Sequence, residues 1–106
     1  MPAYLWQASY ESEGSKGLIK EGGSKRRKYV QQLVEKAGGK LLAFYYAFGD
    51  TDAVGITEFP DHATALSMSL AVNASGAVRL RTTPLVTPEE VDAAAKKNVG
   101  YRPPGA

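Results

Sequence analysis

The chain contains no cysteine. Disulfides, thiolate metal centres and cysteine nucleophiles are excluded, and the absence fits a reducing compartment. Histidine occurs once, at His62. One imidazole beside Asp61 and Glu58 falls short of the four ligands of a closed zinc site, so His62 is a metal candidate without a ligand set. No cofactor is expected. No window approaches the roughly 18 apolar residues of a membrane span. The opening "MPAYLWQASYESEG" has neither the basic region nor the apolar stretch of a signal peptide. A soluble, cytoplasmic protein with no membrane partner is expected. Excess charge is scarce too: 13 Lys and Arg against 11 Asp and Glu leave +2. That is too little to point to nucleic acid. The glycines of 14–23 follow no phosphate-loop pattern, and no serine stands in a nucleophile elbow. No catalytic signature emerges.

What is present builds one domain. A chain of 106 residues, 43% hydrophobic and 23% charged, has ordinary globular usage and enough length for one core. "AYLWQASYE" alternates with period two, placing Tyr4, Trp6, Ala8 and Tyr10 on one face and Leu5 on the other, which predicts a first strand. "SEGSKGLIKEGG" reads as a loop with a helical turn around 17–20. "SKRRKYVQQLVEKAGGK" has Val30, Leu33, Val34 and Ala37 at helical spacing, Ser24 as an N-cap and Gly38-Gly39 as the stop. "KLLAFYYAFG" is a nearly continuous apolar run, expected as a strand covered on both faces. After the Gly49-Asp50-Thr51-Asp52 turn, "AVGITEF" is a strand ended by Pro60. Its Val54, Ile56 and Glu58 share one face, and Ala53, Gly55, Thr57 and Phe59 the other. Asp61 caps a second helix with Ala63, Leu66, Leu70 and Ala74 expected inward, ending at Gly76. "AVRLRTTPLV" is a fourth strand. Thr87, Pro88 and Glu90 make a capping box for a short last helix. The domain spans 1–98, and 99–106 is an extended tail.

The order is β-α-β-β-α-β plus a helix. The expected fold is α+β: a ferredoxin-like βαββαβ unit with a four-stranded antiparallel sheet and an extra C-terminal helix. Both main helices cover one sheet face. The other, expected to carry Trp and Tyr, does not sit easily in water. Face-to-face pairing about a two-fold axis solves this, so the chain itself is the expected partner, as a homodimer or higher homo-oligomer.

Several stretches then carry a family resemblance: "EKAGGKLLAFYYAFG", "FGDTDAVGITEFPD" and "GAVRLRTTPL". In their order and spacing, from Tyr4 to Val91, the chain resembles the GYD domain proteins of the dimeric α/β-barrel type. Gly49 and Asp52 hold the outer positions of the name-giving Gly-Tyr-Asp pattern, and Thr51 stands where the tyrosine usually does. The resemblance implies fold and a dimeric α/β-barrel assembly rather than chemistry. The family has no settled activity. Its wider fold relatives include cofactor-free monooxygenases, chlorite dismutase-like haem enzymes and ligand-binding modules of transcription regulators, too varied to fix a reaction.

Asp50 and Asp52 look at first like paired catalytic carboxylates. An acid/base pair needs one carboxyl desolvated, which a loop tip does not offer, so the turn reading is preferred. Arg79 and Arg81 alternate with Val78 and Leu80 and point away from them. They face either an ion pair or a pocket for a small anionic ligand, beside the small residues Ala53, Gly55 and Thr57. Trp6 and Tyr46, with Tyr4 and Tyr45, either line such a pocket for a small anionic or aromatic ligand or fill a sheet–sheet interface. "KRRK", Lys25 to Lys28, spreads around a helix start. The functional expectation is a small oligomeric binding or assembly module without demonstrable catalysis. The alternative is a cofactor-independent, monooxygenase-like enzyme or a small-ligand sensor with a pocket between sheet and helices.

Overall fold

The computed structural model describes residues 1–106. Its elements run β1 (Ala3–Tyr10), α1 (Ser12–Glu21), α2 (Gly23–Lys36), β2 (Lys40–Tyr46), β3 (Ala53–Glu58), α3 (His62–Ala74), β4 (Val78–Leu85) and α4 (Pro88–Ala95). The strands form one antiparallel sheet in the order β2-β3-β1-β4. This is the ferredoxin-like topology read from the strand and helix signals. No helix is long and apolar enough to cross a membrane.

Directly paired residues share a sheet face. Tyr4 lies opposite Thr57, Trp6 opposite Gly55 and Thr82, and Ala8 opposite Ala53 and Leu80. This is the face that the helices cover, with α2 packed on β2 and α3 on β4. The open face carries Leu5, Ile56 and Thr83 in one row and Gln7, Val54 and Arg81 in the next. Two expectations are corrected here. The tryptophan face is the inner one, and Ala53, Gly55 and Thr57 lie with Trp6 rather than with the arginines. Alternation divides a strand into two faces, but only the helices' position says which is covered.

The core is Tyr4, Val34, Phe59 and Ala65, with Val30, Ala37 and Met68 packed round it. Burying an apolar side chain such as Val34 or Phe59 contributes about 1.5–3 kcal/mol. Tyr4 and Phe59 also meet ring to ring, with centroids 5.9 Å apart.

Four further local readings change. Residues 12–21 form a full helix rather than a loop. Gly14, which reads as a loop signal, is there because the helix passes tightly over Ala77: a Cβ would strike the Ala77 carbonyl oxygen. Next, α2 begins at Gly23 with Gly22 at its N-cap, at φ 91 and with no side-chain cap, so Ser24 does not serve. Its end is as expected, with Gly38 at φ 84. Third, β2 is an edge strand, and its Leu42 and Tyr45 are exposed. A bulge between Leu41 and Ala43 shifts its register. Last, α3 buries Ala65 and half-buries Met68, Ser69 and Val72, while Ala63, Leu66, Leu70 and Ala74 face outward. The helix is apolar nearly all round, so spacing does not reveal its phase.

The Asp50–Asp52 region is a turn, and Asp52 ties it down. Its carboxylate accepts from the Tyr10 amide at 2.7 Å. Its own amide donates to the Ala8 carbonyl at 2.8 Å. At the other end of the chain every residue from 83 to 106 is exposed. The radius of gyration is 17.1 Å, against roughly 13 Å for a compact chain of this length. The excess is this arm, α4 and the residues after it, standing off the sheet.

Candidate functional site

Because α2 lies on β2 and α3 on β4, the helices flank the central strands, and a cavity of about 90 Å³ remains between them and the sheet. Its floor is Trp6, Ala8, Phe44 and Thr57; Val30 and Leu33 of α2 form one wall, and Met68 and Val72 of α3 the other. The lining is mostly apolar, as small-molecule sites are.

Gly55 makes the floor. A Cβ there would collide with the Trp6 ring and the Ala43 carbonyl, so only glycine lets the indole lie across β3. Phe44 holds the indole edge to face at 5.3 Å between centroids, and Tyr46 holds Phe44 in turn at 5.1 Å. Tyr46 is anchored by donating its hydroxyl to the Gly23 carbonyl at 3.0 Å. A chain of aromatic contacts thus runs from the start of α2 to the cavity floor.

Thr57 is the exceptional member. It is 2% exposed, and its Oγ1 has no hydrogen-bond partner among the protein's groups. Buried hydroxyls are normally bonded, and leaving one unpaired costs about 1–3 kcal/mol. Its row, with Tyr4, lies at the core end of the cavity. Tyr10 and Arg26 line the cavity too, and they also line a polar cleft formed with α1. Burial raises the Tyr10 phenol above its ordinary range, helped by Tyr46 and opposed by Arg26. Burial raises Tyr46 likewise, again against Arg26.

The candidates from the sequence separate. Trp6 lies in the cavity floor, and Tyr46 braces that floor from behind. Arg79 and Arg81 lie on the opposite face and do not meet them. Arg79 pairs with Glu11 at 2.8 Å in the open, an ion pair worth little. Arg81 is exposed. Tyr4 is buried in the core, and Tyr45 is exposed on the open face. His62 opens α3 and is hydrogen-bonded to Tyr4 Oη through Nδ1 at 2.6 Å. No three histidine or acidic side chains come together. Asp61 is spent on the cap, accepting from the Thr64 amide at 2.8 Å and from its hydroxyl at 2.7 Å. Thr57 and Arg26 belong to the site although neither is a site candidate by sequence. No local signal marks Thr57, which reads as one more small side chain in step with Ala53 and Gly55 until the helices bury it.

The GYD domain profile matches residues 4–95. The chain belongs to the GYD domain family. No curated protein and no solved structure matches it. Within this GYD domain, the matched region ends at the last residue of α4, and it includes the whole cavity. Membership carries no activity with it, so function rests on the site.

Proposed function

We propose that this GYD domain is a small-ligand-binding module, with the ligand seated between the sheet and helices α2 and α3. One observation carries the reading: the buried, unpartnered Thr57 hydroxyl within a mostly apolar cavity. A group that costs stability when empty-handed, placed where a ligand could reach it, is the expected mark of a site that favours binding over stability. No nucleophile or acid/base pair accompanies it, so binding rather than turnover is what the residues support.

The test uses hexanol as a slim apolar probe with one hydroxyl. Trp6 is the single tryptophan and lies in the floor, so its fluorescence reports occupancy. A saturable fluorescence change with a raised Tm is expected, and Ser69→Leu, which fills the cavity from α3, should abolish both. No saturable response in the unaltered protein would overturn the reading.

Self-association is a second reading with its own support. Only 8 of 106 residues are buried, and the open face presents Leu5, Val54, Ile56 and Tyr45 to water. The arm adds exposed Val86, Val91, Val99 and Tyr101. Moreover, an eight-residue helix such as α4 is marginal in water without packing. A second copy, sheet face to sheet face with the arms embracing it, covers all of these at once. Light scattering at micromolar concentration should give twice the mass of one chain. A clean monomer would remove this reading.

A further inference from the structure

The cleft beside the cavity is lined by Lys20, Lys25 and Arg26, against Glu13 and Glu21. Glu13 is drawn to Lys16 at 3.8 Å. Arg26 is half-buried and forms no salt bridge. Its guanidinium lies 4.8 Å from the Tyr29 ring centroid, a stacking that leaves the in-plane N–H donors free. The first turn of α2, which holds Lys25 and Arg26, has no side-chain cap. Its free amides carry partial positive charge, and basic side chains there are unfavourable to the helix dipole. An anion bound at this rim relieves both.

The same arginine lines the apolar cavity. The space therefore has one cation at its mouth, mostly hydrocarbon walls, and one buried unpaired hydroxyl, Thr57 Oγ1, toward the core end. Size narrows the ligand further. The cavity holds about 90 Å³, below the ~150 Å³ that accommodates a benzene ring, so only a short, slim segment of a ligand fits within it.

We propose that the site takes a slim aliphatic carboxylic acid carrying a second oxygen function away from its acid group. The carboxylate sits at Arg26, where a bidentate pair can form, and the far oxygen bonds Thr57 Oγ1. The proposal rests on the ligand-binding reading above and names the ligand class for it.

The probes are ω-hydroxyalkanoates from butanoate to hexanoate, the matching plain alkanoates and the matching alkanediols, titrated against Trp6 fluorescence and calorimetry. The hydroxy acids should bind best. Arg26→Gln should weaken both kinds of acid at least about tenfold and leave the diols unchanged, as loss of a charged hydrogen-bond partner does. Arg26→Lys, which keeps the charge but not the fork, should fall between. Thr57→Val should weaken the hydroxy acids and diols and spare the plain alkanoates. Circular dichroism checks that each variant is folded. Diols binding as tightly as the acids, or indifference to Arg26→Gln, would overturn the acid class. Binding of hexanol but of none of the acids would do the same and leave the ligand site standing. Binding of neither would overturn the reading beneath it.

Discussion

Thr57 and Gly55, neighbours on one strand face, are set against stability in opposite ways. Thr57 carries a hydroxyl that the protein does not satisfy. Thr57→Val keeps the shape and removes the orphan, so the unliganded protein should gain about 1 kcal/mol. Urea denaturation measures this; a loss of that size would mean the hydroxyl is satisfied in solution. Gly55→Ala goes the other way. Its methyl group has no room beside Trp6 and the Ala43 carbonyl, and overpacking of this kind costs about 1–3 kcal/mol. The displaced indole should also shift its emission, which urea unfolding followed by fluorescence reads together with the midpoint. Neither role was legible beforehand. Both residues read only as small side chains on β3, because what makes them matter, the Trp6 ring over Gly55 and the helices that bury Thr57, comes from distant parts of the chain.

The elements were legible where local chemistry ends or starts them. Gly38, the Asp61 cap and the Thr87 capping box all stand where the sequence places them. Orientation was not. The inner face of α3 is Ala65, Met68 and Val72, not Leu66 and Leu70. Leu66→Ser should therefore change stability by no more than about 0.5 kcal/mol, as exposed substitutions do, whereas Phe59→Ala, at 4% exposure, should cost about 3–5 kcal/mol. Thermal denaturation of the pair tests the phase of the helix against its floor. The cap itself is pH-sensitive. Hydrogen bonds from the Thr64 hydroxyl and amide hold Asp61 below its ordinary 3.8. A carboxyl lowered in the folded state stabilises fully above its unfolded value, and that stabilisation is lost as pH falls below 3.8 through the lowered one. Asp61→Asn keeps a capping side chain without the charge. Its Tm should fall less steeply than the parent's as pH is lowered through that range.

The molecule as a whole is two-sided. One sheet face is covered by its own helices and encloses the cavity; the other, with the arm, is left to water. If a second copy covers it, Ile56→Asp should place like charges across the two-fold axis and reduce the light-scattering mass to that of one chain. Removing 87–106 should weaken association in dilution series while leaving the ligand site occupied, since no residue of the arm lines the cavity. A truncated chain that dimerises as tightly as the full one would show that the arm has no part in the contact.

Period-two alternation, glycine and proline stops and helix caps established the ferredoxin-like order of strands and helices from the chain alone, because each is a property of a few consecutive residues. The GYD family followed from the same short-range features. Which sheet face the helices cover, which way α3 turns, and the gathering of Trp6, Thr57 and Arg26 around one cavity depend on contacts between distant segments. Those contacts are set by how ridges, rings and small residues fit in three dimensions, and no local spacing encodes them.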